Sequence, residues 1–162
     1  MATLNIHQNA PAFSLRGLDD ATHTLYKDAA QISLVVFFKT TCPTCQLAWA
    51  YLEKLHRAYR DAGLAVWGIS QDDQNRSADF AARYPTTFPI LIDDAWHVSK
   101  QYDPEFVPTA FLIESSGAIV DRVIAFDKAG LNRLAQTIAR RLGVSPETIA
   151  PDQDGNPPFK PG

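Results

Sequence analysis

The feature that most restricts the fold is a joint near residue 40. Residues 32–38 read Ile-Ser-Leu-Val-Val-Phe-Phe, β-branched and aromatic with little polar interruption. An apolar run of that length marks a parallel strand buried on both faces. It ends at Lys39-Thr40-Thr41. From about Pro43 to Asp61, Leu47, Tyr51, Leu55 and Tyr59 recur at i, i+4 spacing, with Ala48 and Leu52 beside them. That stripe predicts a long amphipathic helix, closed by Gly63 in a left-handed C-cap. Both cysteines of the chain stand in the joint itself, as Cys42-Pro43-Thr44-Cys45.

The rest of the pattern alternates strand and helix. Ala12–Leu15 and His23–Tyr26 flank a Gly17-Leu18-Asp19-Asp20 turn and predict an N-terminal hairpin. Strands are expected at 64–69, 89–92, 109–113 and 118–124, the last two joined by Ser115-Ser116-Gly117. Helices are expected at 75–84, 94–102 and 127–142, with Asp127 as an N-cap and Gly143 as the terminator. Residues 1–143 therefore read as one α/β unit, a mixed central sheet flanked by helices. Residues 144–162 are Pro-rich and polar and read as an extended or disordered tail.

Composition narrows the class. A net charge of −3 on 162 residues, with Arg140-Arg141 the only basic pair, argues against a nucleic-acid partner. No apolar stretch approaches the roughly 20 residues needed to cross a bilayer, and the opening residues lack a basic n-region and an apolar h-region. The expectation is a cytoplasmic monomer without a membrane partner, or an exported protein if a leader was removed.

Two cysteines three residues apart do not make a secreted disulfide framework. The pair is either reactive or half a metal site. A zinc site would need a second pair, and His7, His23, His56 and His97 are dispersed without ligand spacing. No metal or cofactor is expected. A cysteine at a helix start meets unpaired N–H groups and the positive end of the helix dipole, which favour thiolate. Pro43 suits the first helical position. Cys42 is thus the expected nucleophile and Cys45, one turn further in, the expected resolving thiol.

With strand, Cys-x-x-Cys and helix in order, the chain resembles the redoxin branch of the thioredoxin superfamily, the TlpA-like thiol–disulfide oxidoreductases related to AhpC/TSA peroxiredoxins. Ala10-Pro11-Ala12-Phe13-Ser14-Leu15 resembles the family's opening strand. Gly68-Ile69-Ser70 with Asp72 resembles the piece that follows the family's Cys-x-x-Cys helix, and Phe88–Asp93 with Tyr102 resembles its βα insertion between that helix and the cis-proline strand. Val107-Pro108-Thr109 resembles the segment carrying that proline. The resemblance implies a thioredoxin-like fold, a cis-Pro108 beside Cys42, and a Val107 backbone able to pair with an extended substrate. Thr41, Pro43, Val107, Pro108 and Lys39 are the candidate substrate-binding residues, and protein or small-molecule disulfides and dithiols the candidate partners, with a redox partner unidentified.

The departures from the family carry information. Where peroxiredoxins have a Thr and a Pro before the peroxidatic cysteine, this chain has Lys39 and Val35. Thioredoxin's Trp before the first cysteine is Thr41, its buried Asp is Val36, and the helix Glu of many TlpA-like proteins is Ala48. The carboxylate that usually manages the resolving thiol's proton is missing from both places. Lys39-Thr40-Thr41-Cys42-Pro43-Thr44-Cys45 resembles a glutaredoxin site, where that lysine binds glutathione, although Phe106 replaces the Thr before Val-Pro. A glutathione- or peroxide-linked reductase, or a redox-sensing interaction module, is the alternative. Trp49 and Trp67 read as core, Trp96 as an exposed aromatic facing substrate, and the Asp72-Asp73 and Asp93-Asp94 pairs as turns or caps.

Overall fold

In the computed structural model, which describes residues 2–26 and 30–162, the apolar run becomes β3 (Ile32–Phe38), with every residue buried. The two hairpin strands before it are β1 (Ser14–Arg16) and β2 (Thr22–Thr24), antiparallel to each other. After it come α1 (Pro43–Tyr59), β4 (Leu64–Ser70), α2 (Gln74–Arg83), β5 (Ile90–Ile92) and α3 (His97–Tyr102). The chain closes with β6 (Thr109–Glu114), β7 (Ile119–Ile124), β8 (Phe126–Asp127), α4 (Lys128–Leu142) and β9 (Phe159–Lys160).

The central sheet has the order β5-β4-β3-β6-β7. β4 runs parallel to β3 and β5 parallel to β4, while β6 is antiparallel to β3 and β7 to β6. This is the mixed sheet expected from the sequence. Because side chains alternate along a strand, β3 feeds two cores at once. Ile32, Leu34, Val36 and Phe38 pack with Leu52 and Leu55 of α1, Phe80 of α2 and Leu134 of α4. Val35 and Phe37 pack on the other face with Phe13, Trp67, Val98 and Tyr102. Gly68 sits where Trp49 crosses the sheet: a Cβ there would lie 2.8 Å from the indole, so only glycine lets the ring lie down. Among the described residues no helix is long and apolar enough to cross a membrane.

Two local expectations need correction. Asp127 makes no side-chain cap on α4. It lies in β8 instead, and the Lys128 amide donates to the Pro158 carbonyl at 3.0 Å, so the chain end supplies a partner for the first turn. The helix expected from Asp94 starts at His97, because Trp96 is left-handed (φ 62°) and the Asp93 carboxylate accepts from the Val98 and Ser99 amides. The acidic pairs do act as caps and turns: Asp73 Oδ1 accepts from the Arg76 amide at the start of α2.

The larger departure is the 144–162 segment. It is a chain of turns and bends ending in a two-residue strand, packed rather than loose. Ile149 and Ala150 are fully buried in the α1–α4 core. Asn132 accepts from both of their amides (3.1 and 2.8 Å) and donates to the Ala150 carbonyl (2.9 Å). The buried Lys128 ammonium donates to the carbonyls of Pro151 and Asn156, both at 2.9 Å, and to Asp154 Oδ1 at 2.5 Å. A buried charge is tolerated when it is paired and hydrogen-bonded in this way. Asn132→Ala strips partners from three backbone groups at about 1–3 kcal/mol for each one left unsatisfied. Urea unfolding of this variant is expected to show a loss of roughly 2–4 kcal/mol, together with new proteolytic cleavage between residues 144 and 158. An unchanged midpoint would mean the segment adds nothing to the fold.

Candidate active site

Cys42 lies at the end of the loop that leaves β3, and it is the N-cap of α1. Its backbone is extended (φ −87°, ψ 113°), and its Sγ accepts from the Cys45 amide at 3.1 Å. Pro43 takes the first helical position, where the N–H it lacks would have had no helical partner. The loop is tied from two sides. The Asp72 carboxylate, just past β4, accepts from the amide and hydroxyl of Thr40 at 2.7 and 2.8 Å. Gln46 donates its side-chain amide to the Thr40 carbonyl at 3.1 Å. Asp72, read in the sequence as a turn or cap residue and as part of the family resemblance, anchors the loop before the cysteines.

The two thiols sit in opposite environments. Cys42 is half-buried and Cys45 fully buried. The Cys42 pKa is lowered to about 6, chiefly because the Cys45 thiol donates to its sulfur. Burial opposes this, while the Cys45 and Thr44 amides and the positive charge of Lys160 reinforce it. Cys45 moves the other way: burial pushes its thiol far above the ordinary range, and the neighbouring Cys42 adds to the shift. At neutral pH one sulfur is a thiolate and the other holds its proton. Val36 and Ala48, the positions where the resemblance would place a helper acid, are both buried and apolar.

β6 brings in the opposite wall. Its register with β3 pairs Thr109 with Phe37, which delivers residues 107 and 108 to the end of β3 where the cysteine loop departs. The Val107–Pro108 peptide is cis, as the resemblance implies, and Cys42 Sγ lies 3.5 Å from the Val107 carbonyl oxygen, to which it donates only when protonated. Thr41 and Pro43 are exposed on either side of Cys42. The structure thus gathers Thr41, Cys42, Pro43, Cys45, Val107 and Pro108 at one place. Lys39 stands beside them with its ammonium engaged elsewhere, 4.9 Å from the centroid of the Trp96 ring, a cation–π distance. Trp96 is 37% exposed and its indole N–H donates to the Gln71 carbonyl at 3.1 Å.

Sequence reasoning missed Lys160, whose charge reinforces the thiolate, and two further participants. Thr44 is buried, and its hydroxyl donates to the Pro161 carbonyl at 2.5 Å. Gly162 lies against Val107 so closely that a Cβ on it would meet the Val107 carbonyl oxygen at 2.2 Å. The only signal in the sequence that the segment returns to the body was the apolar Ile149-Ala150 pair inside an otherwise polar stretch.

Two measurements follow from the thiol chemistry. The alkylation rate of Cys42 is expected to rise with pH around a midpoint near 6. Cys45→Ala removes the foremost donor to the thiolate, so its midpoint lies higher. An unmoved midpoint would assign the stabilisation to the helix amides alone. Because the folded pKa lies below that of an unfolded thiol, about 8.5, this group's contribution to stability is complete above that value and is lost as pH falls through about 6. The denaturation midpoint of the reduced protein, measured relative to Cys42→Ser, should therefore climb across that window. A flat difference would contradict the stabilised thiolate.

The chain is similar to several known proteins. The ResA thiol-disulfide oxidoreductase of Geobacillus kaustophilus is 29% identical over 115 residues, 70% of this chain and 66% of that protein. The thioredoxin-like protein YneN of Bacillus subtilis is 32% identical over 118 residues, 70% of this chain and 68% of that one. The matched part spans about two thirds of the length of these relatives. Among solved structures, a DsbE-like protein of Chlorobium tepidum superimposes with a TM-score of 0.80 at 23% identity, over 87% of this chain and 100% of that one, a likeness of fold. Residues 6–122 match the AhpC/TSA family profile, and on that match, with a thioredoxin-like sheet and a Cys-x-x-Cys at the head of α1, the chain belongs to the AhpC/TSA family.

Proposed function

We propose that this chain, a thiol–disulfide oxidoreductase, exchanges disulfides with protein or small-thiol substrates through Cys42 as nucleophile and Cys45 as resolving thiol. The observation that carries the reading is the arrangement of the two sulfurs: Cys42 Sγ caps α1 at the surface, while Cys45 lies one turn inside, fully buried, with its amide 3.1 Å from that Sγ.

The Cys42 thiolate attacks one sulfur of the substrate disulfide. A Cys42–substrate bond forms, the substrate S–S bond breaks, and the departing thiolate takes a proton from water. Cys45 then gives up its proton and attacks Cys42 Sγ. The 42–45 bond forms and the substrate leaves with both sulfurs reduced. Once Cys42 is in the mixed disulfide it no longer carries a negative charge, so one cause of the raised Cys45 pKa disappears, while burial, the largest, remains. With apolar Val36 and Ala48 where an acid could stand, release of the Cys45 proton limits this second step. An external dithiol reopens the bridge, and the same steps run in reverse oxidise a dithiol substrate. Thr41, Pro43, Val107 and Pro108 form the surface a substrate meets around Cys42.

Insulin reduction by dithiothreitol should be accelerated by the protein and return to the uncatalysed rate in Cys42→Ser. Cys45→Ala should instead accumulate a mixed disulfide with substrate. A wild-type rate no greater than the dithiothreitol blank would sink the reading.

A further inference from the structure

We propose that residues 159–162 are an internal occupant of the substrate groove, and that the site takes extended polypeptides which must displace this segment, with Thr44 donating to a backbone carbonyl of the incoming chain. This rests on Cys42 being the reacting thiol.

The path of the segment supports it. β9 pairs antiparallel with β8, Phe126 with Lys160 and Asp127 with Phe159. The chain then continues over the start of α1. The Pro161 carbonyl accepts from Thr44 Oγ1, two residues from Cys42, and Gly162 rests on the Val107 carbonyl, the group that also receives the Cys42 thiol. Residues 161 and 162 therefore bridge the two walls between which Cys42 Sγ is reached. A disulfide within a polypeptide brings flanking backbone to this surface and meets Pro161 and Gly162 there. A small disulfide carries no such backbone.

The groove also shows what it accepts. Its occupant is extended backbone, read through a carbonyl by a buried hydroxyl, with a side chain excluded where Gly162 meets Val107. The occupant is lightly held compared with the chain before it. Lys128, Asn132 and Tyr51 fix residues 149–156 by side-chain hydrogen bonds. Residues 159–162 have a two-residue ladder and the Thr44 bond, and Phe159 is 54% exposed. A segment tied firmly upstream and weakly over the thiol can lift without unfolding the body.

The test compares two activated disulfides with the same thiopyridyl leaving group, one on an extended peptide's cysteine and one on mercaptoethanol. In a Cys45→Ala background, Cys42 attacks the non-pyridyl sulfur, a Cys42–S bond forms, and thiopyridone leaves with the electron pair and is read by absorbance. Rates are scaled to the Cys42 thiolate fraction of each variant. Occupancy scales the peptide rate down to the fraction of molecules with the segment lifted. Deleting residues 159–162 is expected to raise the peptide rate roughly threefold or more, with the mercaptoethanol rate nearly unchanged. Gly162→Val, which retains Lys160 and forces the segment off Val107, should do the same and serves if the deletion does not fold. A peptide rate that is unchanged or falls, or an equal rise with both probes, overturns the proposal. The readout is a single stoichiometric attack, so it is independent of whether wild-type protein turns over insulin.

Discussion

The site depends on one strand being buried on both faces. β3 has a hydrogen-bonded neighbour on each edge, β4 and β6, and a hydrophobic core above and below. Such a strand has no freedom to shift, because a slip of one residue would exchange the Leu34–Val36–Phe38 set for Val35 and Phe37 and mismatch both cores. The point at which the chain leaves the sheet is thereby fixed, and with it the position of Cys42 at the head of α1. The same ladder fixes β6, so Val107 and Cys42, 65 residues apart in sequence, meet at 3.5 Å.

From that placement the chemistry follows by electrostatics. A helix start offers amides without partners, and Cys42 sulfur collects the one from Cys45 at 3.1 Å. One further turn along α1, Cys45 has lost water, and burial outweighs the backbone hydrogen bonds that would favour its thiolate, so its proton is retained. The asymmetry needs no added acid or base for the first attack. In the proposed cycle it makes the second step dependent on deprotonating a buried thiol, with apolar Val36 and Ala48 at the two positions where the resemblance would place a carboxylate.

The 144–162 segment ties this chemistry to the far side of the molecule. Lys128, at the start of α4, is buried and holds the turn at 151–156 by carbonyls and the Asp154 carboxylate. Asp154, pulled well below the usual carboxylate range first by Lys128 and then by Tyr51, stays charged at any physiological pH. That knot aims β9 along β8 and across the head of α1, which is how Lys160 comes to act on the Cys42 thiolate.

The sequence by itself determined the order of the central strands and helices up to residue 143, the joint at Cys42-Pro43-Thr44-Cys45 and the outer and inner placement of its two sulfurs. These are local properties: apolar period, chain length, capping chemistry and the missing N–H of proline act over a few residues and are written in neighbouring letters. The proximity of Val107-Pro108 to Cys42 came from resemblance, since nothing in the spacing of residues 42 and 107 states a contact. Tertiary structure alone decided the rest. Which lysine reaches the thiolate, why Asp72 anchors the loop, and where a Pro-rich polar segment comes to lie all depend on surfaces made by residues far apart in the chain. Residues 144–162 have too few apolar side chains to announce a fold of their own. They become ordered because Asn132, Lys128 and Tyr51, presented together by α4 and α1, supply the hydrogen bonds and the buried seat for Ile149 and Ala150 that the segment cannot supply for itself.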